Sequence, residues 1–114
     1  IESAIQHLSE VIRIDPSQQI AARNLAMAHN QLGISLGQAG NITSAIEHFQ
    51  IAIQVDPASA PSYLNLGAAF MYQNNFKQAI LQFKEALRID PKYDQASQNL
   101  ALAQQKLKEN SAGK

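Results

Sequence analysis

Apolar residues recur along this chain at spacings of three and four. One set is Ala4, Ile5, Leu8, Val11 and Ile12. A second is Ala45, Ile46, Phe49, Ala52 and Ile53. A third is Ala79, Ile80, Phe83, Ala86 and Leu87. This is the periodicity of a helix that buries one face. Each set runs into an Asp-Pro pair, at Asp15-Pro16, Asp56-Pro57 and Asp90-Pro91. Proline disfavours helical geometry in the residue before it, so each of these closing helices stops there. After each proline a second pattern begins: Asn24, Asn65 and Asn99, then Leu25, Leu66 and Leu100, then Ala26, Gly67 and Ala101. Its small residues, Ala28, Ala69 and Ala103 among them, let a neighbouring helix come close. The chain therefore alternates opening and closing helices, with Asn41 and Asn75 placed to cap the closing ones.

The register predicts an all-α chain of about six helices, near 2–14, 17–39, 42–54, 59–73, 76–89 and 93–109, followed by a disordered tail at 110–114. One domain covers 1–109. It divides into a half repeat at 1–16, a repeat at 17–57, a regular repeat at 58–91 and a capping helix at 93–109. The Asp-Pro pairs are not evenly spaced. The interval from Asp15 to Asp56 exceeds that from Asp56 to Asp90 by seven positions, so the middle repeat carries an insertion. Two leucine-plus-small pairs, Leu25-Ala26 and Leu32-Gly33, are offset by the same amount within it. Seven residues are nearly two helical turns and drift by only about 20°. The spacing predicts a single opening helix of roughly 23 residues, about 35 Å long, lengthened in phase.

The stretch 60–91 resembles a tetratricopeptide repeat over its whole length. Tyr63, Leu66, Gly67 and Phe70 match that family's first-helix signature, and Ala79, Phe83, Ala86 and Pro91 its second-helix signature. The stretch 26–57 is similar through Leu32, Gly33, Gly40, Ala45, Phe49, Ala52 and Pro57, with His29 and Leu36 departing from the pattern. The resemblance implies an α-solenoid of antiparallel helix pairs, wound into a right-handed superhelix with a concave groove.

Composition removes several alternatives. Nine basic residues balance nine acidic ones, so nothing marks a nucleic-acid or acidic-membrane partner. The balance is uneven: residues 1–60 carry a net −3 and residues 61–114 a net +3. The absence of cysteine removes disulfides, thiolate metal ligands and cysteine nucleophiles without fixing a compartment. No apolar run approaches the roughly 20 residues of a membrane-spanning helix. No Ser-His-Asp arrangement, HExxH pair or phosphate-binding glycine loop is present, so no enzyme, metal or cofactor is expected. His7 and His48 are the same position in successive repeats, beside Leu8 and Phe49, and read as surface or packing residues. So does His29. Lys77, Lys84 and Arg88 read as a solvated stripe on the convex face.

The family resemblance implies that opening helices line the groove. The candidate peptide-binding residues are then Arg23, Asn24, Met27, Asn30 and Gln31 in one helix. The next supplies Leu64, Asn65, Ala68, Met71 and Tyr72, and the last Gln98, Asn99 and Leu102. An asparagine amide both donates and accepts, which suits one peptide unit of an extended ligand. Asn24, Asn65 and Asn99 are similar in this to the asparagine ladder in the repeat domain of O-linked N-acetylglucosamine transferase. The family's carboxylate clamp needs several basic groups. Here Arg23 is the single arginine of the candidate groove, while Leu64 and Ala68 occupy positions where clamp residues are expected. The expected function is a non-catalytic module that binds a protein or peptide segment. The alternatives are a structural, self-associating solenoid or a regulatory segment of a larger protein. Ala4, Ile5, Leu8, Val11 and Ile12 need cover on two sides. A preceding repeat or a homodimer partner would supply the second.

Overall fold

The computed structural model describes residues 15–112. Among them are five helices and no strand: α1 (Pro16–Gln38), α2 (Ile42–Val55), α3 (Ala60–Tyr72), α4 (Phe76–Ile89) and α5 (Asp94–Ala112). The expected helix at 2–14 lies outside the described residues, and so do His7, Ala4, Ile5, Leu8, Val11 and Ile12. The expected lengthened helix is present: α1 runs uninterrupted for 23 residues. The tail expected from 110 is instead helical through Ala112. Nothing in Asn110-Ser111-Ala112 breaks a helix as the Asp-Pro pairs do, so α5 continues.

Successive helices pack as antiparallel pairs, and the seam of each pair is a glycine under an aromatic ring. Gly33 of α1 lies under Phe49 of α2, and Gly67 of α3 under Phe83 of α4. A Cβ at Gly33 would sit 2.5 Å from Phe49 Cε1, and one at Gly67 would sit 2.5 Å from Phe83 Cε1. Both rings are buried, at 4% and 0% exposure. The pairs join through two apolar clusters. Ala45 and Phe49 of α2 pack with Leu66 and Ala69 of α3. Ala79, Phe83 and Ala86 of α4 pack with Ala96 and Ala103 of α5, with Leu100 beside them. Leu66 and Leu100 are therefore covered by the preceding closing helix. Leu32 holds the same position in α1. Leu25 and Leu32 are 49% and 45% exposed.

The turns have two chemistries. At Asp56 and Asp90 the following proline forces extended backbone, with φ of −138° and −132°, and the helix ends. Inside each pair the turn is a Schellman-type cap. The Asn41 amide donates to the Leu36 carbonyl and the Asn75 amide to the Phe70 carbonyl, each at 2.8 Å. Gly40 (φ 90°) and Asn74 (φ 60°) supply the left-handed residue that this cap needs. The expectation that Asn41 and Asn75 cap through their side chains is thus corrected. Both stand at the N-cap position, but neither side chain makes a cap bond. Their backbone amides close the preceding helix instead. Asp15 does cap by side chain: its Oδ1 accepts from the Ser17 amide at 3.0 Å, with Pro16 in the first turn.

Gly33→Ala and Gly67→Ala each drive a methyl into a buried ring and should cost about 1–3 kcal/mol. Gly37→Ala meets only ordinary contacts, 3.7 Å to Ile42 and 3.8 Å to Ala45, and should gain up to about 1 kcal/mol from helix propensity. Urea unfolding followed by circular dichroism gives both signs. The Asp15 cap should also respond to pH. Hydrogen bonding from Ser17 holds the Asp15 carboxyl below its ordinary range. A lowered folded-state value means that the cap contributes above the ordinary carboxylate range and is lost as pH falls below about 4. The protection of the Ser17 and Gln18 amides relative to their intrinsic exchange rates should fall over that interval, and Asp15→Asn should remove the pH dependence.

Candidate functional site

The glycine-to-ring seam sets the true register of the repeats. Gly33 and Gly67 make the same contact one repeat apart, so Gln31, Asn65 and Asn99 are equivalent positions. Asn24 precedes Gln31 by two turns of α1, about 10 Å along the axis at 1.5 Å per residue. The expected even row of Asn24, Asn65 and Asn99 is therefore replaced by Gln31, Asn65 and Asn99. The row still carries three carboxamides, each a donor and an acceptor.

The opening helices share one side of the molecule. A concavity of about 460 Å³ is lined by Met27, Asn30, Gln31 and Ile34 of α1, by Pro61, Leu64 and Asn65 of α3, and by Tyr93 and Gln95 at the start of α5. Its walls place several sequence-named residues together and separate others. Gln31 and Met27 are exposed and Asn65 is half-buried. Leu64 and Asn30 are buried, at 6% and 7% exposure, and supply floor rather than reach. Met71 packs back onto the cluster around Phe83. Ala68 and Tyr72 line a second concavity beside it with Asn65. Asn24, Gln98 and Leu102 are exposed, and Asn99 is half-buried, on the flanking helices.

Two polar features were not legible beforehand. Asn30 stands where the next repeat has Leu64. Its Nδ2 donates to Ser62 Oγ at 2.9 Å, and Ser62 Oγ donates to Ser59 Oγ at 2.9 Å. The Asn30 Oδ1 has no partner among the described residues. This chain ties α1 to α3 across the repeat boundary. The other feature is a histidine pair. His29 Nδ1 and His48 Nδ1 are 3.0 Å apart, with ring centroids separated by 5.2 Å and planes inclined by 22°. That centroid separation is the nitrogen distance plus the two ring radii, so the rings meet edge to edge, nitrogen to nitrogen. One Nδ1–H donates and the other Nδ1 accepts, in opposite tautomers. The two nitrogens point at each other rather than at a common third point, which is hydrogen-bond geometry and not chelation. His29 is on α1 and His48 on α2, so no spacing within a single helix signals the pair.

Charge is sparse on this side. Arg23 lines a concavity of about 390 Å³ that also contains Asp56 and Asp90. Burial, and secondarily the Asp90 carboxylate, push the Tyr93 phenol above its ordinary range. It therefore stays neutral and able to donate at neutral pH. Lys77, Lys84 and Arg88 are exposed on α4, and Arg88 Nε donates to Glu85 at 2.8 Å. That hydrogen bond holds the Glu85 carboxyl below its ordinary range. Among the described residues no three His, Asp or Glu side chains converge as a metal site, and no helix is long and apolar enough to cross a membrane.

Residues 60–93 match the family model of the tetratricopeptide repeat. The fold is that of a tetratricopeptide-repeat domain. Several solved domains of this kind superpose on it. The second such domain of Spaghetti (RPAP3), bound to the HSP90 peptide SRMEEVD, does so with a TM-score of 0.76 at 22% identity, covering 83% of this chain and 86% of that one. The human RPAP3 second domain, in complex with the HSP70 peptide SGPTIEEVD, gives 0.73 at 22% identity, covering 77% and 73%. The Arabidopsis OM64 domain gives 0.72 at 24% identity, covering 77% and 73%. In this repeat frame, residues 26–59 form the repeat before the matched one, and residues 16–25 extend its opening helix.

Ser62→Ala leaves the buried Asn30 amide with neither end bonded and should cost about 1–3 kcal/mol. Adding Asn30→Leu to that variant removes the orphan and should recover most of the loss. A double-mutant cycle from thermal unfolding reads the coupling.

Proposed function

We propose that this chain is a non-catalytic interaction module that holds an extended peptide segment of a protein partner in the groove lined by α1, α3 and the start of α5. The observation that carries this reading is the shared concavity. Two opening helices present carboxamides at one register, Gln31 and Asn65, with Gln95 of α5 beside them, between apolar surfaces at Met27 and Ile34. A carboxamide bonds a peptide N–H and C=O together, and apolar neighbours supply the burial that makes the contact favourable. Both RPAP3 structures hold peptides ending in Glu-Glu-Val-Asp. The groove here suits such a terminus poorly. None of its lining residues is charged, and Arg23 lies in the neighbouring concavity with Asp56 and Asp90, which repel an acidic ligand.

The test uses peptides selected from a random display library on the immobilised 114-residue chain. Asn65→Ala and Ala68→Glu should each weaken the selected peptides at least tenfold in isothermal titration. Lys84→Ala, away from the groove lining, should leave affinity unchanged. SRMEEVD should bind more weakly than the selected set. Insensitivity to both groove substitutions, with the fold intact by circular dichroism, rejects the groove as the binding face.

A further inference from the structure

One concavity on this side is built around a missing side chain. Gly37 of α1 and Met71 of α3 hold the same place in successive repeats, each four residues after its seam glycine. Met71 fills that place in its own repeat and packs onto the cluster around Phe83. At Gly37 nothing fills it: an added Cβ would meet only Ile42 Cδ1 at 3.7 Å and Ala45 Cβ at 3.8 Å. The space left is a pocket of about 420 Å³ between α1, the start of α2, and α3. Phe49 and Ala45 are buried members of its lining, while Ile34 and Tyr72 are 41% and 72% exposed. Its polar groups are the Gln38 and Asn65 amides and the Tyr72 hydroxyl, and no lining residue carries a charge. Nor does any Asp, Glu, Lys or Arg occur in α3.

We propose that this pocket is the anchor site of the groove: it takes one bulky uncharged side chain, aromatic or branched aliphatic, from the partner's peptide, while Asn65 bonds the adjoining peptide unit. The proposal rests on the groove reading above. Electrostatic complementarity selects the occupant. An ionised side chain entering this pocket loses its hydration and finds no opposite charge among the lining residues. An uncharged apolar side chain gains from leaving water and meets the Phe49 ring and the Ile34 and Ile42 side chains. Asn65 lines both this pocket and the longer concavity, so an anchored residue lies next to the carboxamide row.

The experiment is an amide-resolved NMR titration of the whole chain with N-acetyl-phenylalaninamide and with the blocked glutamate analogue, alongside affinities of the selected peptides. The phenylalanine probe should shift Ile34, Gly37, Asn65 and Ala68, and the glutamate probe should bind at least tenfold more weakly. Gly37→Met, which installs the side chain that Met71 provides in the next repeat, should abolish those shifts. It should also weaken the selected peptides at least tenfold without lowering the melting temperature. Equal binding of the two probes overturns the proposal. So does unchanged peptide affinity in Gly37→Met. Peptides that respond to Asn65→Ala and Ala68→Glu but not to Gly37→Met sink the anchor and leave the groove standing. Insensitivity to all three sinks both. Shifts at these amides that grow with protein concentration alone, or displacement of residues 1–14 by the probe, assign the pocket to a second copy or to the chain itself and overturn the peptide reading.

Discussion

The structure depends on two aromatic rings seated on glycine backbone. Phe49 over Gly33 and Phe83 over Gly67 leave no room for even a methyl group between helices of a pair. That contact brings α1 to α2 and α3 to α4 more closely than side chains of ordinary size allow. Small residues complete the seam, since Ala45, Ala52, Ala79 and Ala86 are all essentially inaccessible. The same rings then reach the next repeat: Phe49 shares its cluster with Leu66 and Ala69 of α3. A single residue type at a single register thus holds the helix pair and couples it to its neighbour. In α5 the corresponding residue is Ala101, which is exposed because no further closing helix follows it among the described residues.

Once the seam is fixed, the positions around it on each opening helix are free to vary, and they do. Position by position, α1 and α3 differ where they face the groove: Asn30 against Leu64, Gln31 against Asn65, Ile34 against Ala68, Gly37 against Met71. None of these exchanges disturbs the rings. One of them places a polar chain, Asn30 to Ser62 to Ser59, across the repeat boundary. Another leaves the space at Gly37. Scaffold and surface therefore vary independently here, because the glycine-to-ring contacts stay constant while the residues around them change.

Much of the fold was legible because its determinants are local. Asp-Pro ends a helix through the geometry of one dipeptide, and the three-and-four spacing of Ala45, Phe49 and Ala52 reads directly as a buried face. The lengthened helix was legible for the same reason: residues 17–38 hold no proline, and both leucine signatures stay in phase. What was not legible depends on partners far along the chain. Asn41 and Asn75 read as side-chain caps, but their amides are taken by the Schellman turn behind them, with Gly40 and Asn74 in the left-handed conformation. Counting from Pro16 made Asn24 the partner of Asn65. Counting back from Pro57 made Leu32-Gly33 the repeat start instead, and the contact of Gly33 with Phe49 decides for that count, and hence for Gln31. The burial of Asn30 and the meeting of His29 with His48 have no signature within one helix.

The groove's near-neutrality follows from the same architecture. A closing helix spends its inner face on alanines and phenylalanine, so its charges, such as Lys77, Lys84 and Arg88 on α4, are left to the outer face. The opening helix α3 is covered on more sides, by its own closing helix α4 and by the preceding one, α2, and only a narrow strip reaches solvent. In α3 that strip holds Asn65, Ala68 and Tyr72, bounded by buried Leu64, Leu66 and Ala69. A charged residue in so narrow a strip would be partly desolvated without a partner, whereas a carboxamide or a tyrosine hydroxyl meets peptide groups at smaller cost. On the proposed reading, selectivity on such a surface comes from shape: from which side chain fits the space beside the carboxamide row, and that shape changes between the two repeats where Gly37 stands in place of Met71.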